Sequence, residues 1–343
     1  MTSMSPPTGP LRRSLGIVGV IALTAVVLTG ALSVAGTAAP RVLGDPGTLV
    51  RWGLPAALAV HHVALAVALG ALAFARGVRP ISFKNPRVSA RLVAAARWAA
   101  LTWAASASAV LAFTFADTLG QPLSIHRGVV AEFGAYAWGT EPGRARVVVL
   151  AVALVVLVLL MARPGGDAHL VALAVAATVV MPLSMDGHAL STHVPWASTV
   201  LALHVLGVAV WVGGVIVLGL LSDLLRPGQS TAGESLGTFK RFSLLAGVAY
   251  AAVFASGVAT AVLRIGSLEA LLTSYGILVL VKTGAMLGLG VIGYLHRRWI
   301  VAALHSGKMP TAPVWRLISL EILVMTSTMA VAAVLGRTVP PGT

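Results

Sequence analysis

The chain has 343 residues, 58% of them hydrophobic and 10% charged, with no cysteine. A soluble domain has about 25% charged residues, so a water-soluble core is excluded, and the absence of thiols excludes disulfides, thiolate metal sites and cysteine nucleophiles. The net charge of +14 does not read as a nucleic-acid footprint, because Lys and Arg cluster in short segments between apolar runs, the pattern of the positive-inside rule.

Nine apolar runs follow one another at 14–38, 52–75, 93–116, 145–162, 168–185, 197–222, 242–264, 275–296 and 316–336. Each is long enough for a helix to cross the hydrocarbon core, and too long for a barrel strand. The reading is an all-α polytopic membrane protein of about nine transmembrane helices. It forms one integral membrane domain, with a five-helix part at 14–185 and a four-helix part at 197–336. Arg12 and Arg13 precede the first run and SVAGTAA follows it, as in a signal peptide. The run exceeds a signal h-region in length and is read as an uncleaved helix.

With the N-terminus in the cytoplasm and the C-terminus outside, 16 Lys and Arg residues fall on the cytoplasmic side and 7 outside, which supports that orientation. The external segment 117–144 holds Phe133, Tyr136 and Trp138 and is expected to contain a short interfacial helix. The external loop 186–196 has two His, one Asp and no Lys or Arg.

Candidate chemistry begins at the end of the fifth run. Met181, Met185 and His188 share one helical face, Asp186 and His193 lie beside them, and Pro182 is expected to bend the helix. Thioether and imidazole suit Cu(I); methionines also serve as packing between helices. In the sixth run His204, Gly207, Trp211 and Gly214 form a single stripe at helical spacing. A histidine inside an apolar span is a functional-site hypothesis by default. His61 and His62, roughly 14 Å deep in the second run at the helical rise, reach the level of His204, so one of them is expected to face it, as a metal ligand or in an interhelical hydrogen bond.

Lys282 and Glu321 are ionisable groups within the eighth and ninth runs, at depths too different for a direct pair. They are read as tuning a cation path or as structural glue. Val281 stands where a phosphate-binding loop needs Gly before Lys282, and no catalytic motif is present, so no enzymatic turnover is expected.

Leu203–Gly214 (LHVLGVAVWVGG), Arg241–Ser243 (RFS), the run from Ser256 to Met286 with its Tyr-Gly and Lys-Thr-Gly elements, His296–Arg298 (HRR) and Glu321 together resemble the copper resistance protein D family of bacterial inner-membrane proteins. Gly187–Ala189 (GHA) is similar to a segment of its actinobacterial members. Ile277 stands where the family carries a basic residue, and the N-terminal half resembles the family in hydropathy alone.

The resemblance implies copper handling at the bacterial cytoplasmic membrane, with copper moving inward. The residues assigned to metal are His188, His204, His61, His62, His193, Met185 and Met181, with Lys282, Glu321, Trp211 and Asp186 along the path. Two alternatives stand beside transport. One is external copper delivery to a copper chaperone or an oxidase assembly factor. The other is a haem carrier with two axial histidines.

Overall fold

A computed structural model describes residues 10–78, 85–162, 167–184, 196–225, 231–306 and 312–341, and among these it contains helices and no strand. The helices are α1 (Pro10–Ala35), α2 (Gly47–Ala73), α3 (Pro86–Leu119), α4 (Val129–Gly139), α5 (Glu141–Ala162), α6 (Asp167–Thr178), α7 (Val180–Ser184), α8 (Ala197–Leu220), α9 (Ala232–Ile265), α10 (Ser274–Ser306) and α11 (Ala312–Leu335). Eight of these are long and apolar enough to cross a membrane. Many large apolar side chains on them face outward, such as Ile21, Val158, Val262 and Val291; in a bilayer this surface meets lipid at no hydrophobic cost. The chain is a multi-pass, all-α membrane protein.

The apolar run at 168–185 is not one helix. Proline at 182 has no N–H to bond the carbonyl of residue 178, and its ring crowds that carbonyl. The break falls there, between α6 and α7. Of the nine spans expected, eight are, among the described residues, helices long and apolar enough to cross, and this run is the exception. Arg97, near the start of α3, donates to the Leu160 carbonyl at the end of α5, and Arg91 pairs with Asp223 just beyond α8. The end of α5 and the end of α8 therefore share one face.

The opposite face is tied by a second set of charges. Asp117, at the end of α3, accepts from Arg41 after α1 and from Arg337 after α11, at 3.0 Å each. Arg51, buried in the first turn of α2, pairs with Asp45 and donates to the Ala38 carbonyl at 3.0 Å. Helix α4 lies beside this face, its Phe133 and Tyr136 rings against Phe115 and its Trp138 exposed; a short helix is where one was expected.

The packing centre is α8. A Cβ at Gly213 would lie 1.8 Å from the Ala66 carbonyl oxygen, and one at Gly70 would lie 2.4 Å from the Gly213 carbonyl carbon. Helices α2 and α8 thus touch backbone to backbone, as small residues allow between membrane helices. Around the contact lie fully buried Leu69, Leu72, Phe74 and Trp103. Helix α1 sits at the periphery, held to α11 by Thr24 and Thr326 hydroxyls 3.0 Å apart.

Two expected outcomes follow from this packing. Gly213→Ala forces α2 and α8 apart and should destabilise detergent-purified protein by about 1–3 kcal/mol or more. Gly284→Ala, where a Cβ meets nothing within 4 Å, should leave the thermal midpoint unchanged or slightly raised. The second outcome concerns acid. The hydrogen bond from Arg51, with that from the Gly47 N–H, holds the Asp45 carboxyl below its ordinary pKa. A lowered folded-state pKa adds stability that is complete above the ordinary Asp range and is lost as pH falls through the depressed value. Thermal midpoints recorded down the acid range should therefore fall less steeply for Asp45→Asn than for wild type; parallel slopes would refute the assignment.

Candidate functional site

The stripe on α8 faces α9, and the two helices run antiparallel. His204 Nδ1 lies 3.2 Å from the Val253 carbonyl and 3.0 Å from Ser256 Oγ. Ser256 directs its own hydrogen to the Ala252 carbonyl, 2.5 Å away, so Nδ1 carries the proton and the neutral ring keeps its lone pair at Nε2. Further along, Gly207 admits Val253, Trp211 meets Tyr250 edge to face at 5.1 Å, and Gly214 admits Phe242. The four stripe positions are thus one seam.

Two cavities open on this seam. The first, about 490 Å³, is lined by His204, Gly257, Thr260, Tyr275, Lys282, Thr283 and Met286. Lys282 is half-buried there, within electrostatic reach of both His204 and His62. No carboxylate pairs with it among the described residues. The second cavity, about 190 Å³, is walled by Trp211, Phe239, Phe242 and Tyr250 and holds His296 and Glu321. Between them stands Tyr250, whose hydroxyl donates to the Met286 carbonyl at 3.3 Å.

The expected meeting of His61 or His62 with His204 takes another form. No ring contact joins them among the described residues; His204 turns to α9, while His61 points to α3. The His61 side chain is fully buried, neither ring nitrogen has a hydrogen-bond partner, and it lies edge-on to His62 (centroids 5.6 Å) and to Trp103 (6.3 Å). The Trp103 Nε1–H is buried and unpartnered as well. An unsatisfied buried polar group costs about 1–3 kcal/mol, and two side by side form a concentrated polar strain in an otherwise apolar core.

The imidazoles of His61 and His62 are neighbours on one helix. They offer haem no axial pair on facing helices, and the haem alternative finds no support.

Glu321 does not meet Lys282. Its partner is His296, whose Nδ1 lies 3.0 Å from Oε2, with both side chains largely buried. His296 opens the HRR element, but the sequence assigns it no role as a ligand. The signal that finds it is depth, since the HRR helix end and the inner third of the last run lie at the same level. Met181 lies on α7, but its side chain is outside the described part of the structure, as are Met185, Asp186, His188 and His193 altogether. Among the described residues no three His, Asp or Glu side chains converge as a metal cage.

Residues 236–335 match the family model Copper resistance protein D, and residues 45–194 match the model Copper resistance protein D-like, N-terminal domain. The second match extends the likeness into the N-terminal half, beyond hydropathy, while the α8 motif Leu203–Gly214 falls between the two matched stretches. No curated protein and no solved structure matches the chain. Two matched models on one all-helical membrane bundle place this chain in a copper-related role: it belongs to the copper resistance protein D family.

Proposed function

We propose that the protein carries copper across the bacterial cytoplasmic membrane, inward from the external face, along the seam between α8, α9 and α10. The observation that carries this reading is the pair of cavities strung on one stripe of α8, each holding an imidazole at membrane depth. Copper is the cargo, and no covalent chemistry is asked of the protein. The His204 Nε2 lone pair is the intramembrane donor in the first cavity, and Met286 lines the same space, a soft neighbour suited to Cu(I).

In this reading the face bearing Asp117 and the Asp45–Arg51 pair is external, as the Lys and Arg distribution requires. Met185, His188 and His193, with Met181 and Asp186, capture the ion before it enters. His61 and His62 form a side station against Trp103. The Lys282 ammonium sits where it repels a cation at His204, so the ion binds there most readily when the lysine swings away or is neutral. Trp211 and Tyr250 close the seam between the cavities.

Cells expressing the His204→Ala variant should accumulate severalfold less copper than cells expressing wild type at equal membrane abundance. Unchanged accumulation would overturn the transport reading; reduced oxidase activity at constant cell copper would point to delivery instead. His61 gives a sharper test because stability and function part company. His61→Leu removes an unsatisfied buried group, so the thermal midpoint should hold or rise, by up to about 1–3 kcal/mol of stability. Copper retained by the purified protein should fall. A loss of stability with copper binding intact would make His61 a packing residue.

A further inference from the structure

Glu321 lies on the path the sequence outlines, but its pairing with His296 does not follow from the motifs, and the geometry of the pair is that of a prepared ligand. A carboxylate oxygen only accepts, so the 3.0 Å contact places the imidazole proton on Nδ1. The remaining nitrogen, Nε2, is buried without a hydrogen-bond partner. A protonated Nε2 would leave a buried donor unpaired; a neutral ring leaves only a lone pair there. Metal-binding histidines use this arrangement: the second ring nitrogen donates to a carboxylate, which fixes the tautomer and raises the basicity of the ligand nitrogen.

The surroundings favour a positive ion. The Glu321 carboxyl is largely buried in an apolar bundle, where a negative charge is costly unless a positive one compensates it. The cavity wall adds the faces and edges of Trp211, Phe242 and Tyr250, and aromatic faces attract cations. The other charged group lining the cavity is Arg297, and that residue is exposed at the mouth.

We propose that His296, backed by Glu321, is a second station for a soft cation, Cu(I), in the aromatic-walled cavity beyond Tyr250. The ligand's identity rests on the copper reading above; the site rests on its own geometry. His296 Nε2 is the donor, and Glu321 is a positioning residue that also supplies the compensating charge. The ion that leaves His204 passes the Trp211–Tyr250 contact and is held here before release at the face where α10 ends.

The test is Cu(I) binding to the full chain in detergent, under reducing conditions, against a chromogenic competing chelator. His296→Gln should lose one class of bound copper that His204→Ala retains. Glu321→Gln keeps the shape and the acceptor oxygen but not the charge, and should keep the copper count at saturation while binding 10–100-fold more weakly at that class. If both variants titrate like wild type, the station does not exist, whether or not cells transport copper. If they lose copper as stated while wild-type cells accumulate none, the station stands and the transport reading fails. Should His296→Gln fail to purify as a single species, the affinity of Glu321→Gln decides.

Discussion

Helix α8 is gripped from two sides, and the rest of the bundle is arranged around that grip. On one side Gly213 lets α2 approach until backbone meets backbone. On the other, Gly207 and Gly214 admit side chains of α9. In lipid, apolar association gains nothing from expelling water, so close van der Waals contact and the few available hydrogen bonds must hold helices together. Three glycines within eight residues of one helix allow both contacts at once. The consequence is that α8 has little freedom to shift, and the polar side chains it carries are presented at fixed depth.

That rigidity gives meaning to the polar groups that remain unsatisfied. His61 and Trp103 on the α2–α3 side, and His296 on the α10–α11 side, keep nitrogen atoms without partners in a setting that penalises them. His204 is different: its Nδ1 is bound to α9 and its other nitrogen remains for a ligand. A bundle selected for stability alone would replace such imidazoles with leucine. Of these imidazoles, His204 and His296 line cavities, a placement that would serve the ion route proposed above. The two faces, by contrast, are closed by ordinary ion pairs around Asp117, Asp45 and Asp223, which set where helices begin and end.

Much of the architecture was legible from hydropathy and charge. Run length fixes the spanning helices because the backbone has no alternative to the helix in lipid. The aromatic residues of 129–139 do lie on a short helix, α4. The stripe from His204 to Gly214 does share one face, since helical periodicity is local. The fifth run shows the limit of such reading. Pro182 was a visible sign of a bend, but the helix breaks at the carbonyl four residues earlier, and a run that looks continuous becomes two short helices.

Which side chains meet across helices was not legible, because depth is readable along a helix while rotation about its axis is not. His61 and His204 were placed at one level, yet their rings turn to different neighbours, α3 and α9. Glu321 and Lys282 were rightly kept apart, but the partner of Glu321 had to be found in space. The sequence by itself determined that the chain spans the membrane, eight of the segments long enough to do so, and that it resembles copper-handling proteins. These follow from composition, period and motif. Only the tertiary structure decided that His296 sits against Glu321, that His61 and Trp103 are buried without partners, and that two cavities share one face of α8. Each of these depends on how helices rotate as they pack, and packing is a property of the whole bundle.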